Sequence, residues 1–195
     1  MDFDVEKASA EEIKFTLSGV GTAFANAVRR TGMSQLKIFG IEKIMVYENS
    51  SAMFDEYIAN RIGLVPIETP EGYTDKDVVL FTLDKDGPGT VYSKSLKSSD
   101  AKVKVANGDI PLMKLTEGQH LRIEATAKLG TAKSHARHQA GLLAYGMDAK
   151  DKGTFHFTVE SFGQITAKEM LARTADILEE KLEEMKKQLK AASKG

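Results

Sequence analysis

Four histidines and no cysteine set the limits of the chemistry this chain can carry. His135-Ala136-Arg137-His138 places two imidazoles three residues apart, and His156 adds a third at a distance. Three imidazoles could hold a catalytic metal, because a reactive zinc site keeps three protein ligands and one open position. The spacing speaks against it. On a strand, residues i and i+3 project from opposite faces, so His135 and His138 converge only on a turn. No acidic residue stands at a recognisable ligand spacing from either. The lack of cysteine removes disulfides, thiolate zinc sites, iron–sulfur clusters and a cysteine nucleophile together.

Gly19-Val20-Gly21 stands between a strand-like and a helix-like segment, the setting of a phosphate-cradling loop. The third glycine of a dinucleotide fingerprint would fall at position 24, which is Phe24, and no Gly-Lys-Ser/Thr follows. A tight turn fits better. Ser50-Ser51 and Ser98-Ser99 sit in polar turns, the ordinary use of serine. Arg29 and Arg30, beside Phe24 and Val28, could face phosphate. Paired arginines also suit a protein contact, where the planar guanidinium meets carboxylates bidentately. These residues nominate no catalytic group, no metal site and no cofactor.

The elements that would position such groups read as α+β. Ile13-Lys14-Phe15-Thr16-Leu17 alternates as a half-buried strand. Thr22 then caps a short helix with Phe24, Ala27 and Val28 on its apolar side, Arg29 and Arg30 at its end, and Gly32 as its stop. Ile38 to Tyr47 is extended, with Ile41, Ile44 and Val46 inward. Asn49-Ser50-Ser51 opens a second helix, in which Phe54, Ile58 and Ile62 repeat every fourth residue, ending at Gly63 before Pro66. From Val78 to about Leu129 short strands alternate with turns at Asp86-Gly87-Pro88-Gly89, Asn107-Gly108-Asp109 and Glu117-Gly118, and Asn107-Gly108 is the sharpest hairpin signal. Gly130 to Lys152 is irregular. Phe155 to Glu160 alternates again, and Thr166-Ala167-Lys168-Glu169 is a capping box opening a helix to about Lys190.

That last helix carries Leu171, Ala175, Leu178, Leu182, Met185 and Leu189 at spacings of 4, 3, 4, 3 and 4, a heptad seam. A seam of three heptads must lie against something, either the sheet of its own domain or another helix. Its narrowness and charged flanks favour a helix–helix contact, between chains included. The 195 residues carry 27 Lys and Arg against 28 Asp and Glu, a net charge of −1, which disfavours autonomous binding to a phosphate backbone. The acidic N-terminus lacks the apolar core of a signal peptide, and no run approaches the 18 or more apolar residues of a membrane helix. The chain reads as soluble and cytoplasmic, with no membrane partner.

Three blocks together resemble the alpha-type RNA polymerase assembly subunits. Phe24-Ala25-Asn26-Ala27-Val28-Arg29-Arg30 is similar to that family's Asn-Ala-Leu/Ile-Arg-Arg helix. Tyr47-Glu48-Asn49-Ser50-Ser51, then Asp55-Glu56 and Asn60-Arg61-Ile62-Gly63-Leu64-Val65-Pro66, is similar to its Glu-Asn-Thr/Ser-Ser, Asp-Glu, His-Arg-Leu-Gly-Leu-Ile-Pro block. Phe157-Thr158-Val159-Glu160-Ser161 and the following helix match its returning strand and closing helix. The order and spacing resemble the archaeal D-type branch most. Asn60 departs from the usual His, Ser34-Gln35-Leu36 from Ser-Glu-Val/Ile-Pro, and His138 and Ala140 from the Trp and Pro of a His-Ala-Lys-Trp-x-Pro block. Many D-type chains insert a ferredoxin-like domain before the returning strand. Only 140–154 stand there in this chain, with no cysteine, so the resemblance implies a member lacking the iron–sulfur domain.

The resemblance implies a non-catalytic assembly platform of DNA-directed RNA polymerase, a nucleotidyltransferase complex. A dimerisation domain would comprise 1–40 plus 155–195, with a mostly β domain, 41–154, inserted. Phe24, Ala27, Val28, Leu171, Leu178, Leu182, Met185 and Leu189 would form the dimer interface with subunit L. Subunits N and P, then the two large catalytic subunits, would follow, with Arg29, Arg30, Asp55, Glu56 and Arg61 as candidate contacts to the large subunits. An alpha-like homodimer buries the same stripe, and the sequence does not separate the two. A metal enzyme built on His135, His138 and His156 is the reading from another class.

Overall fold

The computed structural model describes residues 1–148 and 151–193. The chain divides into two units, the first built from Met1–Leu36, Ala140–Ser161 and the chain from Thr166 onward, the second from Lys37–Gln139 with Phe162–Ile165. The expected boundaries at 40 and 155 fall elsewhere. The stretch read as irregular contains a strand, Gly141–Met147, whose backbone pairs antiparallel with Thr154–Ser161, from Met147 opposite Phe155 to Gly141 opposite Ser161. That ladder assigns it to the first unit.

In the first unit, β1 (Asp2–Ala8), β2 (Glu12–Ser18), β9 (Gly141–Met147) and β10 (Thr154–Ser161) form an antiparallel sheet in the order β1-β2-β10-β9. The period-2 pattern turns Ile13, Phe15 and Leu17 of β2, and Phe155, Phe157 and Val159 of β10, to one buried face. Phe15 and Phe157 are register partners with stacked rings 4.8 Å apart, extended by Phe3 at 4.7 Å from Phe15 and Tyr145 at 5.2 Å from Phe157. Each such aromatic pair adds about 0.5–1.5 kcal/mol beyond its buried area.

Helices α1 (Thr22–Ser34) and α3 (Ala167–Ala192) pack with this sheet. Gly21, not Thr22, caps α1: its backbone is extended, and its carbonyl accepts the amides of Phe24 and Ala25. Nor does Gly32 stop the helix, which continues to Ser34. A Cβ on Gly32 would lie 2.6 Å from Leu143 Cδ1 and 2.9 Å from Thr174 Oγ1, so the glycine permits close approach to β9 and α3.

The second unit holds the sheet β3-β8-β4-β6, formed by β3 (Lys37–Asn49), β4 (Val78–Asp86), β6 (Lys97–Ser98) and β8 (His120–Thr131). A separate ribbon pairs β5 (Gly89–Tyr92) with β7 (Pro111–Leu115). Helix α2 (Asp55–Gly63) buries Ile58 and Ile62 in the core with Phe39, Ile41, Phe81 and Ile123. Phe54, read as part of that stripe, is the extended residue capping the helix and is 70% exposed, because the helical repeat begins only at Asp55. Asn107-Gly108 joins no hairpin. Its carbonyls are taken by Ser93 Oγ and the Lys94 amide, while β6 pairs with β4 and β7 with β5. His120 links three strands, with Nε2 2.8 Å from Asp84 Oδ1 and Nδ1 3.3 Å from Glu48 Oε2. The hydrogen bond to Asp84 raises this imidazole above its ordinary value.

His138 is a core residue of the second unit. Nδ1 lies 2.8 Å from the Ile38 carbonyl oxygen, and Nε2 3.6 Å from Glu42 Oε1. Gly40 and Gly130 give the ring its space: a Cβ on Gly130 would lie 2.6–2.8 Å from three ring atoms, and one on Gly40 2.8–2.9 Å from two. Gly130→Ala should therefore displace the imidazole and cost about 1–3 kcal/mol, read as a lowered urea midpoint for the unit.

Candidate docking groove

The direction of α3 is set at its first residue. The Thr166 amide donates to Glu169 Oε2 at 2.7 Å, and the Glu169 amide donates to Thr166 Oγ1 at 3.2 Å. The backbone and hydroxyl bonds from Thr166 hold the Glu169 carboxyl below the usual glutamate range. Ala167, Met170 and Thr174 are then buried, and Thr174 Oγ1 donates back to the Met170 carbonyl at 2.6 Å.

Beyond that point the covered face ends. Of the seam, Leu171 and Leu178 are half-buried and Ala175 is exposed, while Leu182, Met185 and Leu189 are 58%, 57% and 59% exposed. The seam from 171 to 189 runs for about 27 Å at 1.5 Å per residue, so α3 docks on its own sheet by its first turns only.

An apolar groove of about 480 Å³ opens beside the seam. Phe15 and Leu17 of β2, with Met1 and Phe3, form its floor; Phe24 and Val28 of α1 form one wall; Leu171, Leu178 and Leu182 form the other. Thr174, Ala175, Glu179, Glu183 and Lys186 complete its lining. Phe24 is a large aromatic left 43% exposed at the groove. Ala27 is half-buried and is not part of the lining. Sequence reasoning missed Met1 and Phe3, because every residue of β1 is exposed and only Phe3 and Val5 among charged neighbours hint at a strand. Contiguous exposed apolar surface of this kind marks an interaction site rather than a scattered surface residue.

The charged candidates lie outside the groove lining. Arg29 donates through Nε and Nη2 to Asn26 Oδ1, and Arg30 is exposed. On α2, Asp55 accepts from Asn49 Nδ2 at 2.7 Å, Glu56 is exposed, and Arg61 ties the helix to β7 by donating to the Leu112 carbonyl at 2.7 Å and to the Pro111 carbonyl. His135 Nδ1 accepts the Arg137 amide at 3.1 Å, and His156 belongs to the first unit, where Nδ1 lies 2.9 Å from Thr16 Oγ1. Among the described residues, no three of His, Asp and Glu converge as a metal-ligand set.

In the first unit two helices back a sheet and leave an apolar seam open, and in chain order Lys37–Gln139 of the second unit fall between α1 and β9. Residues 45–149 match the family described as RNA polymerase Rpb3/RpoA insert domain. The chain is 43% identical to DNA-directed RNA polymerase subunit Rpo3 of Thermococcus kodakarensis over 152 residues, covering 74% of this chain and 59% of that protein. It is 42% identical to Rpo3 of Methanocaldococcus jannaschii over 179 residues, 92% of this chain and 91% of that one. For Rpo3 of Halobacterium salinarum the figures are 41% over 143 residues, 72% and 58%. The chain belongs to the Rpb3/RpoA family of RNA polymerase subunits, among the archaeal Rpo3 proteins. It spans under three fifths of the length of the Thermococcus and Halobacterium relatives and about nine tenths of the Methanocaldococcus one.

The cap that orients the seam is open to test. Thr166→Ala removes the hydroxyl acceptor and should cost about 0.5–2 kcal/mol. Glu169 titrates lower in the folded chain than in the unfolded one, so its stabilisation is present above the unfolded value and is lost as pH falls through the folded one. Acid titration of stability should show this loss in the parent chain, and Thr166→Ala should reduce it without abolishing it, because the backbone amide at 166, the larger cause, is retained.

Proposed function

We propose that this chain is the alpha-like assembly platform of an archaeal DNA-directed RNA polymerase, acting by protein contact without catalysing a reaction itself. The observation that carries the reading is the open groove with the uncovered half of α3 beside it. Contiguous exposed apolar surface of this extent marks a site of protein contact, since burying it against another surface is favourable.

On this reading the first unit is the dimerisation domain and the second is the domain inserted into it. Phe24 and Val28, with Leu171, Leu178, Leu182, Met185 and Leu189, meet the helices of subunit L, while Ala27 backs that wall. Subunits N and P dock on the heterodimer, and the two large catalytic subunits follow. Arg29, Arg30, Asp55, Glu56 and Arg61 are candidates for the large-subunit contacts. The exposure of Arg30 and Glu56 supports them best, since Asp55 and Arg61 are already engaged in holding α2. A cytoplasmic place is consistent with this role, and no helix among the described residues is long and apolar enough to cross a membrane.

Leu182 gives the cleanest test, because it is exposed and its replacement leaves the core of the chain untouched. Leu182→Asp should retain the thermal midpoint of the parent and lower affinity for purified subunit L by about 100-fold or more, the cost of desolvating an unpaired carboxylate. Unchanged affinity in calorimetric titration would contradict the assignment of the seam.

A further inference from the structure

Asn107-Gly108 has the composition of a hairpin turn but closes none, and its side chain is arranged for a different chemistry. The Asp109 amide donates to Asn107 Oδ1 at 3.0 Å, which turns the carboxamide back along its own main chain. The Gly108 amide makes no hydrogen bond among the described residues, so its nitrogen is free to act as a nucleophile. The bond from Asp109 polarises the Asn107 carboxamide and stabilises an oxyanion at Oδ1, as a backbone donor does in acyl transfer. Asn107 is exposed, and its Nδ2 has no partner among the described residues, so water protonates it as it leaves. Gly108 carries no Cβ to obstruct the approach. Ser93 Oγ donates to the Asn107 carbonyl at 2.5 Å and the Lys94 amide to the Gly108 carbonyl at 3.0 Å, so the turn is held in place. The other three asparagines lack this combination. Asn26 and Asn60 lie within α1 and α2, where the following amide is already bonded along the helix. Asn49 uses both ends of its carboxamide: Nδ2 donates to the Met53 carbonyl and to Asp55, and Oδ1 accepts from Ser51.

We propose that Asn107 is a site of spontaneous deamidation in the folded chain, giving aspartate and isoaspartate. The Gly108 nitrogen bonds to Cγ and gives its proton to water; the Cγ–Nδ2 bond breaks, and Nδ2 takes up a proton and leaves as ammonia. Water then opens the resulting succinimide. Opening at Cγ gives aspartate; opening at the main-chain carbonyl gives isoaspartate, with the chain running on through Cγ. The net change consumes one water and releases one ammonia. Either product adds a negative charge beside the Lys94–Asp109 pair, whose charged atoms are 3.1 Å apart. Isoaspartate also takes the Asn107 carbonyl, the acceptor for Ser93 Oγ, out of the main chain. Ser93 is fully buried, and its Oγ also accepts the Ile110 amide at 3.2 Å. Disturbing a buried hydroxyl in this way is costly, and the ribbon of β5 and β7, which Ser93 and Ile110 adjoin, is what it loosens.

The test ages the whole chain at mildly alkaline pH, folded and in urea, and follows the peptide 105–114 by mass spectrometry. Enzymatic methylation of isoaspartate with a labelled methyl donor counts that product independently. In the folded chain, conversion at Asn107 should exceed that at Asn26, Asn49 and Asn60 by about tenfold or more, and it should be at least as fast as in urea, because the fold keeps the carboxamide polarised. A folded chain that converts about tenfold more slowly than the chain in urea would show that the turn protects the residue, and would overturn the proposal. Asn107→Gln keeps an amide at the position but cyclises only through a larger ring, so it should abolish both the mass change in this peptide and the methylation signal. A signal that persists in this variant would place the reaction elsewhere and equally overturn the assignment. Hydrogen–deuterium exchange reads the consequence: amides of 89–92 and 111–115 should exchange faster in aged parent than in Asn107→Gln aged alongside it, and equal exchange would contradict the loosening of the ribbon.

Discussion

The structure of the first unit depends on the fact that α3 is covered along one part of its length and not along the rest. A helix of 26 residues extends about 39 Å, and the sheet beneath it serves only the turns that carry Ala167, Met170 and Thr174. Its direction is fixed before it leaves the sheet, by the reciprocal cap between Thr166 and Glu169 and by the approach of Gly32 to Thr174. The leucine seam beyond is thereby held at a defined angle instead of collapsing onto its own chain. Polar flanks keep this uncovered half in solution: Lys186 pairs with Glu183 and Gln188 donates to Glu184 along the helix.

The groove follows from the same arrangement. Phe3 of β1 and Phe15 and Leu17 of β2 line it together with residues of α1 and α3. Phe15 is fully packed beneath, stacked on Phe157, while Phe3 on the outer strand keeps half its surface exposed. A stacked aromatic row beneath an exposed apolar surface holds that surface in one arrangement, which limits the ordering cost of any association there.

The second unit spends its unusual residues internally. His138 resembles part of a ligand motif in the sequence, and in the fold its imidazole bonds the Ile38 carbonyl within a space left by two glycines. Arg61, a candidate for an outside contact, donates to the carbonyls of Leu112 and Pro111. Both show how a chemically suggestive side chain is used to close gaps in backbone hydrogen bonding.

Period was legible in the sequence, and of the helix starts only the α3 capping box was, since Gly21 caps α1 and Phe54 caps α2. β2, β10, the capping box and the seam were all read from local spacing, and each reading agrees with the structure. What escaped depended on partners distant in the chain. β9 alternates poorly, with Gly141 and Gly146 among its seven residues, and is defined by its ladder with β10. β1 is an edge strand with every residue exposed, so burial left little pattern to read. Gly32 looked like a stop because sequence shows a missing side chain but not the neighbours, Leu143 and Thr174, that require it missing. Asn107-Gly108 has the chemistry of a hairpin, yet the strands around it pair elsewhere. The groove was half legible: the wall residues declared themselves by heptad spacing, and the floor at Met1 and Phe3 did not.

The central claim is that the uncovered half of α3 becomes covered when the assembly forms. Hydrogen–deuterium exchange of the chain, alone and in complex with subunit L, reads that directly. The account predicts that backbone amides of 178–190 exchange rapidly in the free chain and slow by about tenfold or more in the complex, while those of β2 and β10 change little. A complex that forms with exchange over 178–190 unchanged would contradict it.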